Sequence, residues 1–207
     1  LCRAGFEGDC AAELDARVAA LGLAGYARAR EGDGSAEYFP LDRDPLALMS
    51  ELGFARRVFP RQWCATGPVL EGLPAADRLA PIVDALTGTA VRGALVEVPD
   101  ADATRPLSKL AGRLQGPLVG ILERRGLLAS AASAPWLHVV LLASDRAFVG
   151  LAPDGERSPR PGGVVRLRSR KAMPSRAGLK LEEAFIRFLP EEMRLRELAA
   201  GATAVDL

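Results

Sequence analysis

The sequence predicts an α+β protein: two small units of helices and strands in succession, then a basic connector and the opening of a third unit. Three observations predict it. Short β-forming runs alternate with amphipathic helical stretches up to about residue 152. From Pro153 to Pro174 the composition shifts to Pro, Gly, Ser and Arg. After Pro174 a fresh helical stripe begins, with Ser175 placed to cap it. The 207 residues, 49% hydrophobic and 26% charged, can bury a sizeable core as one large domain or two small ones, and no internal repeat interrupts them.

The first unit, residues 1–59, has the order β-α-β-β-α-β of a ferredoxin-like domain. Leu1-Cys2-Arg3 reads as the end of a strand inside which the chain begins, and Ala4-Gly5 turns it into a helix from about Glu7 to Leu21, with Cys10, Leu14, Val18 and Leu21 on one face. Gly22 to Gly25 stop that helix. Tyr26–Arg30 and Ala36–Phe39 pair across the Glu31-Gly32-Asp33-Gly34 turn, and Asp44-Pro45 starts a helix with Leu46, Met49 and Leu52 at three-residue intervals. A strand over Arg57–Phe59 completes the expected order.

The second unit, residues 60–152, opens on the apolar run Pro60–Val69 and a helix from about Ala75 to Leu86. Ala94–Val98 is a predicted strand. Leu107–Arg125 is a predicted helix with Leu107, Leu110, Leu114, Leu118, Ile121 and Leu122 inward and a kink or break at Pro117. Trp136–Leu142 and Phe148–Leu151 form a hairpin across Ser144-Asp145. In the connector, residues 153–174, Val164–Arg168 alternates well enough to be a short strand carrying arginines along one side. Beyond it Leu181, Phe185, Phe188 and Leu189 recur at helical spacing, and Thr203–Leu207 is a β-forming run.

Charge is unevenly spread. Residues 157 to 180 hold eight of the 27 Lys and Arg and none of the 26 Asp and Glu, which leaves 19 basic against 26 acidic elsewhere, a balance of −7. Arg157, Arg160, Arg166, Arg168, Arg170, Lys171 and Arg176 are the candidate RNA contacts of that run, since clustered cations gain affinity for a polyanion through counterion release. A solvated arginine-rich loop has the same composition. Arg61 and Trp63 could add a cation and a stacking face, although a Trp in an apolar run is more often core.

Other chemistries are excluded or left without support. Cys2, Cys10 and Cys64 are odd in number with no C-x-x-C pair, so neither a disulfide framework nor a zinc site is expected, and no metal. His138 is the single histidine and lies in an apolar run, so no histidine triad can be built. No G-x-G-x-x-G loop follows a strand. No apolar run reaches the length of a membrane span and no signal peptide opens the chain, so a cytoplasmic protein with no membrane partner is expected.

The runs Leu1-Cys2-Arg3-Ala4-Gly5-Phe6-Glu7, PSRAGLKLEEAF over residues 174–185 and Ala204-Val205-Asp206-Leu207 together resemble the RlmM type of large-subunit ribosomal RNA cytidine 2′-O-ribose methyltransferase. The resemblance implies that the second unit is a THUMP domain and that residues 175–207 open a Rossmann-like methyltransferase domain, truncated here. It makes Lys180 the first member of a Lys-Asp-Lys-Glu catalytic tetrad. Asp206 then ends the strand before the glycine-rich loop that binds S-adenosylmethionine. That loop and the later Asp, Lys and Glu are not among these residues. Where the family commonly has Ser-Thr after the Ser-Arg pair, this chain has Ala177-Gly178, so only a main-chain contact to the cofactor remains at Ala177. The expected partner is ribosomal RNA, the expected cofactor of the complete enzyme is S-adenosylmethionine, and the fragment itself is expected to be inactive. By residues alone a lysine three before Glu183 is more often a member of a surface ion pair, and it is the resemblance that reverses this reading. A non-catalytic RNA-binding module and a protein-interaction domain using exposed sheet edges are the rival readings.

Overall fold

The computed structural model describes residues 1–167, 177–189 and 192–193. The chain divides into two compact units, Leu1–Gly163 and Val164–Leu207.

The first unit begins with helix α1 (Glu7–Ala20), whose Cys10, Leu14 and Val18 are buried at helical spacing, with Glu7 and Asp9 in the first turn complementing the helix dipole. Leu21, expected on the inner face, caps the helix and is 45% exposed because the chain turns away at Gly22. Strands β1 (Gly25–Ala29) and β2 (Ala36–Pro40) pair antiparallel with Tyr26 opposite Phe39. Helix α2 (Pro45–Leu52) starts where Asp44 accepts the Ala47 N–H at 3.0 Å and Pro45 presets the first turn. Leu14, Val18, Leu48 and Leu52 form the core between helices and ribbon, with Leu23, Tyr38 and Trp63 packed on it.

The expected strand at Arg57–Phe59 does not form. A 3₁₀ turn at Phe54–Arg56 follows α2, and the N–H groups of Val58 and Phe59 both donate to the Glu13 carboxylate of α1, at 3.0 Å each to the nearer oxygen. A side chain of the neighbouring helix thus satisfies the donors a ladder would have used, and Val58 is 77% exposed. The strand comes later: β3 (Ala65–Thr66) joins the second sheet instead.

That sheet contains β3, β4 (Gly93–Glu97), β5 (Trp136–Ala143) and β6 (Arg146–Ala152) in the order β3-β6-β5-β4, with β4 and β5 parallel and the other pairs antiparallel. Helices α3 (Leu79–Asp84) and α4 (Ser108–Arg124) supply Ile82, Val83, Leu118 and Leu122 to a core shared with Leu137, Val139 and Leu141 of β5. Helix α3 is shorter than the predicted Ala75–Leu86 because Asp77, just after Pro74, folds back onto the N–H groups of Leu79 and Ala80 at 3.0 and 3.1 Å. Helix α4 runs through Pro117 without a break. Pro117 is exposed, so the carbonyl its ring deprives of an N–H donor lies towards water on the outer side.

Pro161–Gly163 makes a tight turn against β4, with Gly162 and Gly163 in the left-handed region. Val164–Leu167 has no regular structure, so the predicted strand over Val164–Arg168 is not formed in its described part. The second unit, taken by itself, contains helix α5 (Ala177–Phe188). Thr203–Leu207 lies outside the described residues.

Candidate functional site

The basic run begins where the first unit ends, and the fold spends its first members internally. The side chain of Arg157 is 6% exposed: its guanidinium carbon lies 3.6 Å from the Trp136 ring centroid, one terminal nitrogen donates to the Ser158 carbonyl at 2.9 Å, and another faces Asp154 at 3.8 Å. Burial pulls this guanidinium below the usual arginine range, against the opposing pull of Asp154 and Glu97. The expectation that Arg157 offers a surface cation is corrected by this geometry, since a cation stacked under the connector stabilises the loop it stands in. Arg160 is half-buried, its N–H donating to Ser158 Oγ at 3.2 Å and its carbonyl accepting from the Gly163 N–H at 2.9 Å. Arg166 is exposed. Arg168, Arg170, Lys171, Arg176 and Asp206 lie outside the described residues.

What holds the connector in place is a buried polar cluster that no sequence motif announces. Glu97 of β4, His138 of β5 and Gln62 before β3 are at most 1% exposed. Glu97 Oε1 lies 2.5 Å from His138 Nδ1, and Glu97 Oε2 accepts from Gln62 Nε2 at 3.1 Å and from the Gly162 N–H at 2.5 Å. Gln62 in turn accepts the Ser158 N–H at 3.0 Å and donates to the Ser158 and Arg160 carbonyls at 3.1 and 3.3 Å. A carboxyl group and an amide therefore read out the backbone of residues 158–162, with His138 Nδ1 in hydrogen-bond contact with the other Glu97 oxygen. Gly162 and Gly163 both have φ near +65°, and a Cβ on Gly163 would collide with the Arg61 carbonyl.

His138 is core, as its apolar run predicts, yet it has a partner. That partner could have been found from one signal: a glutamate at the end of an otherwise apolar strand, Gly93–Glu97, all five residues of which are buried. Arg61 is not a free cation either, because it pairs with Asp100 at 2.8 Å. Trp63 donates its indole N–H to the Glu156 carbonyl at 2.5 Å and packs on the α1/α2 core. Burial and the nearby Glu97 push the Cys64 thiol up to about 12, so it is unreactive at neutral pH. Among the described residues no three His, Cys, Asp or Glu side chains come together as a metal cluster, and no helix is long and apolar enough to cross a membrane.

In the second unit Lys180 stands exposed on α5, three residues after Ala177 opens the helix. Glu183, its neighbour one turn on, pairs with Arg187 at 2.9 Å. The apolar stripe of α5 faces outward in part, with Leu181 57% and Phe188 79% exposed. The geometry can present an ammonium from a helix face; by itself it does not assemble a reaction centre.

Comparison with known proteins agrees with the resemblance carried by the terminal motifs. The sequence family described as the RlmM ferredoxin-like domain matches residues 1–64, and the family described as the N-terminal region of ribosomal RNA large subunit methyltransferase M matches residues 77–153. Curated proteins named ribosomal RNA large subunit methyltransferase M are similar over 100% of this chain: 39% identical in Shewanella amazonensis, 38% in Pseudomonas putida and 38% in Erwinia tasmaniensis. The chain spans 58% of the length of each. Among solved structures, a predicted N6-adenine-specific DNA methylase from Listeria monocytogenes overlaps 72% of this chain and 38% of its own at 16% identity and a TM-score of 0.39, too low to carry an argument.

Proposed function

Because the chain belongs to the ribosomal RNA large subunit methyltransferase M family, we propose that it is the RNA-recognising front part of an S-adenosylmethionine-dependent methyltransferase acting on the 2′-hydroxyl of a cytidine in 23S ribosomal RNA. The observation that carries this reading is the similarity of the whole chain, Lys180 segment included, to curated relatives of that name. In this reading residues 1–59 are the ferredoxin-like domain, 60–152 a THUMP-like domain, 153–174 the basic connector and 175–207 the opening of the methyltransferase domain.

Lys180 takes the catalytic role, its ammonium orienting the ribose hydroxyl and stabilising the developing oxyanion. The cofactor supplies the electrophilic methyl group. The described residues do not fit it, since the exposed Lys180 ammonium is assigned to the ribose hydroxyl and Ala177 offers main chain alone. Cofactor binding therefore belongs to the complete enzyme, with Asp206 beside the loop, and no step is routed through it here. RNA affinity falls to Arg160, Arg166, Arg168, Arg170, Lys171 and Arg176, with Arg157 holding the connector's base.

Titration of the 207-residue chain with a 23S ribosomal RNA fragment at several salt concentrations tests the reading. Submicromolar binding that weakens steeply with salt is expected, with no measurable S-adenosylmethionine binding by the same chain. Binding that ignores salt, or tight cofactor binding by this chain alone, contradicts it.

A further inference from the structure

Phe6 is core by residue type, yet the fold leaves it 40% exposed at the start of α1. Arg3, also exposed, holds its guanidinium carbon 5.6 Å from the Phe6 ring centroid. Half-buried Phe59 stacks on the same ring, with centroids 6.1 Å apart and planes at 27°, and Val58 beside it is 77% exposed. Rings at that separation overlap only in part, so aromatic surface is left open to a third planar group.

Two carboxylates of α1 fix the backbone that carries these rings. Glu7 accepts the N–H of Gly5, the residue before Phe6, at 2.9 Å, and Glu13 accepts the N–H groups of Val58 and Phe59 at 3.0 Å each. The rings are therefore displayed on ordered backbone, whose entropy is lost on folding rather than on binding.

The surroundings are cationic. Arg56, Arg57 and Arg61 lie between Glu51 and Glu71, a stretch with no acidic residue of its own. Arg57 turns inward to the Leu52 and Gly53 carbonyls at 3.0 and 3.3 Å, and Arg61 pairs with Asp100 at 2.8 Å, whereas Arg3 and Arg56 stand exposed. Protein–protein contacts are depleted of charge at their cores. Aromatic surface with a guanidinium beside it suits a nucleotide instead, whose base stacks and whose phosphate takes the cation. The patch also adjoins the root of the connector, because Arg61, two residues after Phe59, has its carbonyl against Gly163.

We propose that Phe6 and Phe59, with Arg3, form a stacking platform in the first unit that takes one unpaired base of single-stranded RNA, Arg3 meeting the adjacent phosphate. The inference rests on the RNA reading above and goes beyond it by assigning affinity to aromatic surface outside the basic run of residues 157 to 180.

The test is titration of the 207-residue chain and its variants with the 23S ribosomal RNA fragment, with a fluorescent single-stranded RNA of about twelve nucleotides, and with that strand paired to its complement. Phe6→Leu combined with Phe59→Leu, which keeps apolar bulk and removes the rings, is expected to weaken single-strand binding about tenfold or more while leaving duplex binding within about twofold and the salt slope unchanged. Phe6→Trp is expected to bind the strand at least as tightly as the parent, and Arg3→Ala to lower the log–log salt slope by about one unit. Irradiating the parent chain with a bromouridine-substituted strand is expected to crosslink Phe6 or Phe59, a readout that needs no variant to fold. Leucine variants that bind like the parent, an equal loss for strand and duplex, crosslinks confined to residues 157–180, or a parent that binds the 23S fragment but not the single strand overturn the platform and leave the RNA reading standing. A parent chain that binds none of the three RNAs removes both. Self-association of the parent that Val58→Ser disperses, with RNA binding untouched, assigns the patch to a second copy of the chain and also overturns the platform.

Discussion

Glu97 shows how much depends on a single buried side chain. Its two oxygens contact His138, Gln62 and the Gly162 N–H, so removing it leaves His138 Nδ1 and the Gly162 N–H without this partner and takes one of three acceptors from Gln62. Glu97→Ala is expected to cost about 3–5 kcal/mol by urea unfolding, with faster exchange at the amides of Ser158 and Gly162; a loss within experimental error shows that the cluster is not what fastens the connector. Glu7 is a second such case. Burial raises the pKa of its carboxyl, but N–H donors from Gly34 at 2.7 Å, Gly5 at 2.9 Å and Gly32 at 3.1 Å outweigh that and hold it below the ordinary 4.5. A depressed folded-state pKa gives stability that is complete above the unfolded value and is lost as pH falls through the folded one. Glu7→Gln is therefore expected to lower stability by about 1–3 kcal/mol at pH 7, with the difference from the parent shrinking below pH 4.5 as the parent's carboxyl takes up its proton. A gap that stays constant down to pH 2 removes this assignment.

At the scale of elements, α4 carries an expectation that the fold refines. Pro117 costs the helix a hydrogen bond without breaking it, because the gap is on the wet side while Leu118 and Leu122 stay fully buried on the other. Replacing Pro117 by Ala restores the missing donor and is expected to raise stability by about 1–3 kcal/mol. Leu118→Ala, one residue on, is expected to lower it by about 2–5 kcal/mol through the cavity left between α4 and the sheet. Thermal unfolding of the two variants reads both signs. A destabilised Pro117→Ala would mean that the proline is needed for how α4 seats on the sheet.

For the molecule as a whole, the predictions concern charge and reaction. Alanine at Arg166, Arg168 and Arg170 together is expected to weaken RNA binding and to flatten its salt dependence by about one unit of log–log slope for each phosphate that is no longer neutralised. Arg157→Ala should instead loosen the connector and lower stability, since its guanidinium is stacked on Trp136. In a chain extended past Leu207, Lys180→Ala should abolish methyl transfer with RNA affinity nearly intact. Full activity in that variant ends the catalytic assignment.

Local sequence determined the helices, the β1/β2 hairpin and the β5/β6 hairpin, because periodicity, capping by Asp44 and turn residues act within a few positions and leave their mark there. The same locality let the segment around Lys180 point to a family. Tertiary structure alone decided three matters: that Val58 and Phe59 give their N–H groups to Glu13 rather than to a strand, that β3 belongs to the second sheet, and that Arg157 is an interior group stacked on Trp136 while His138, interior as its apolar run predicts, lies against Glu97. Each of these pairs residues 21 to 86 positions apart, and for a buried polar group the partner, rather than the residue type, determines whether it is a cost, a clamp or a site.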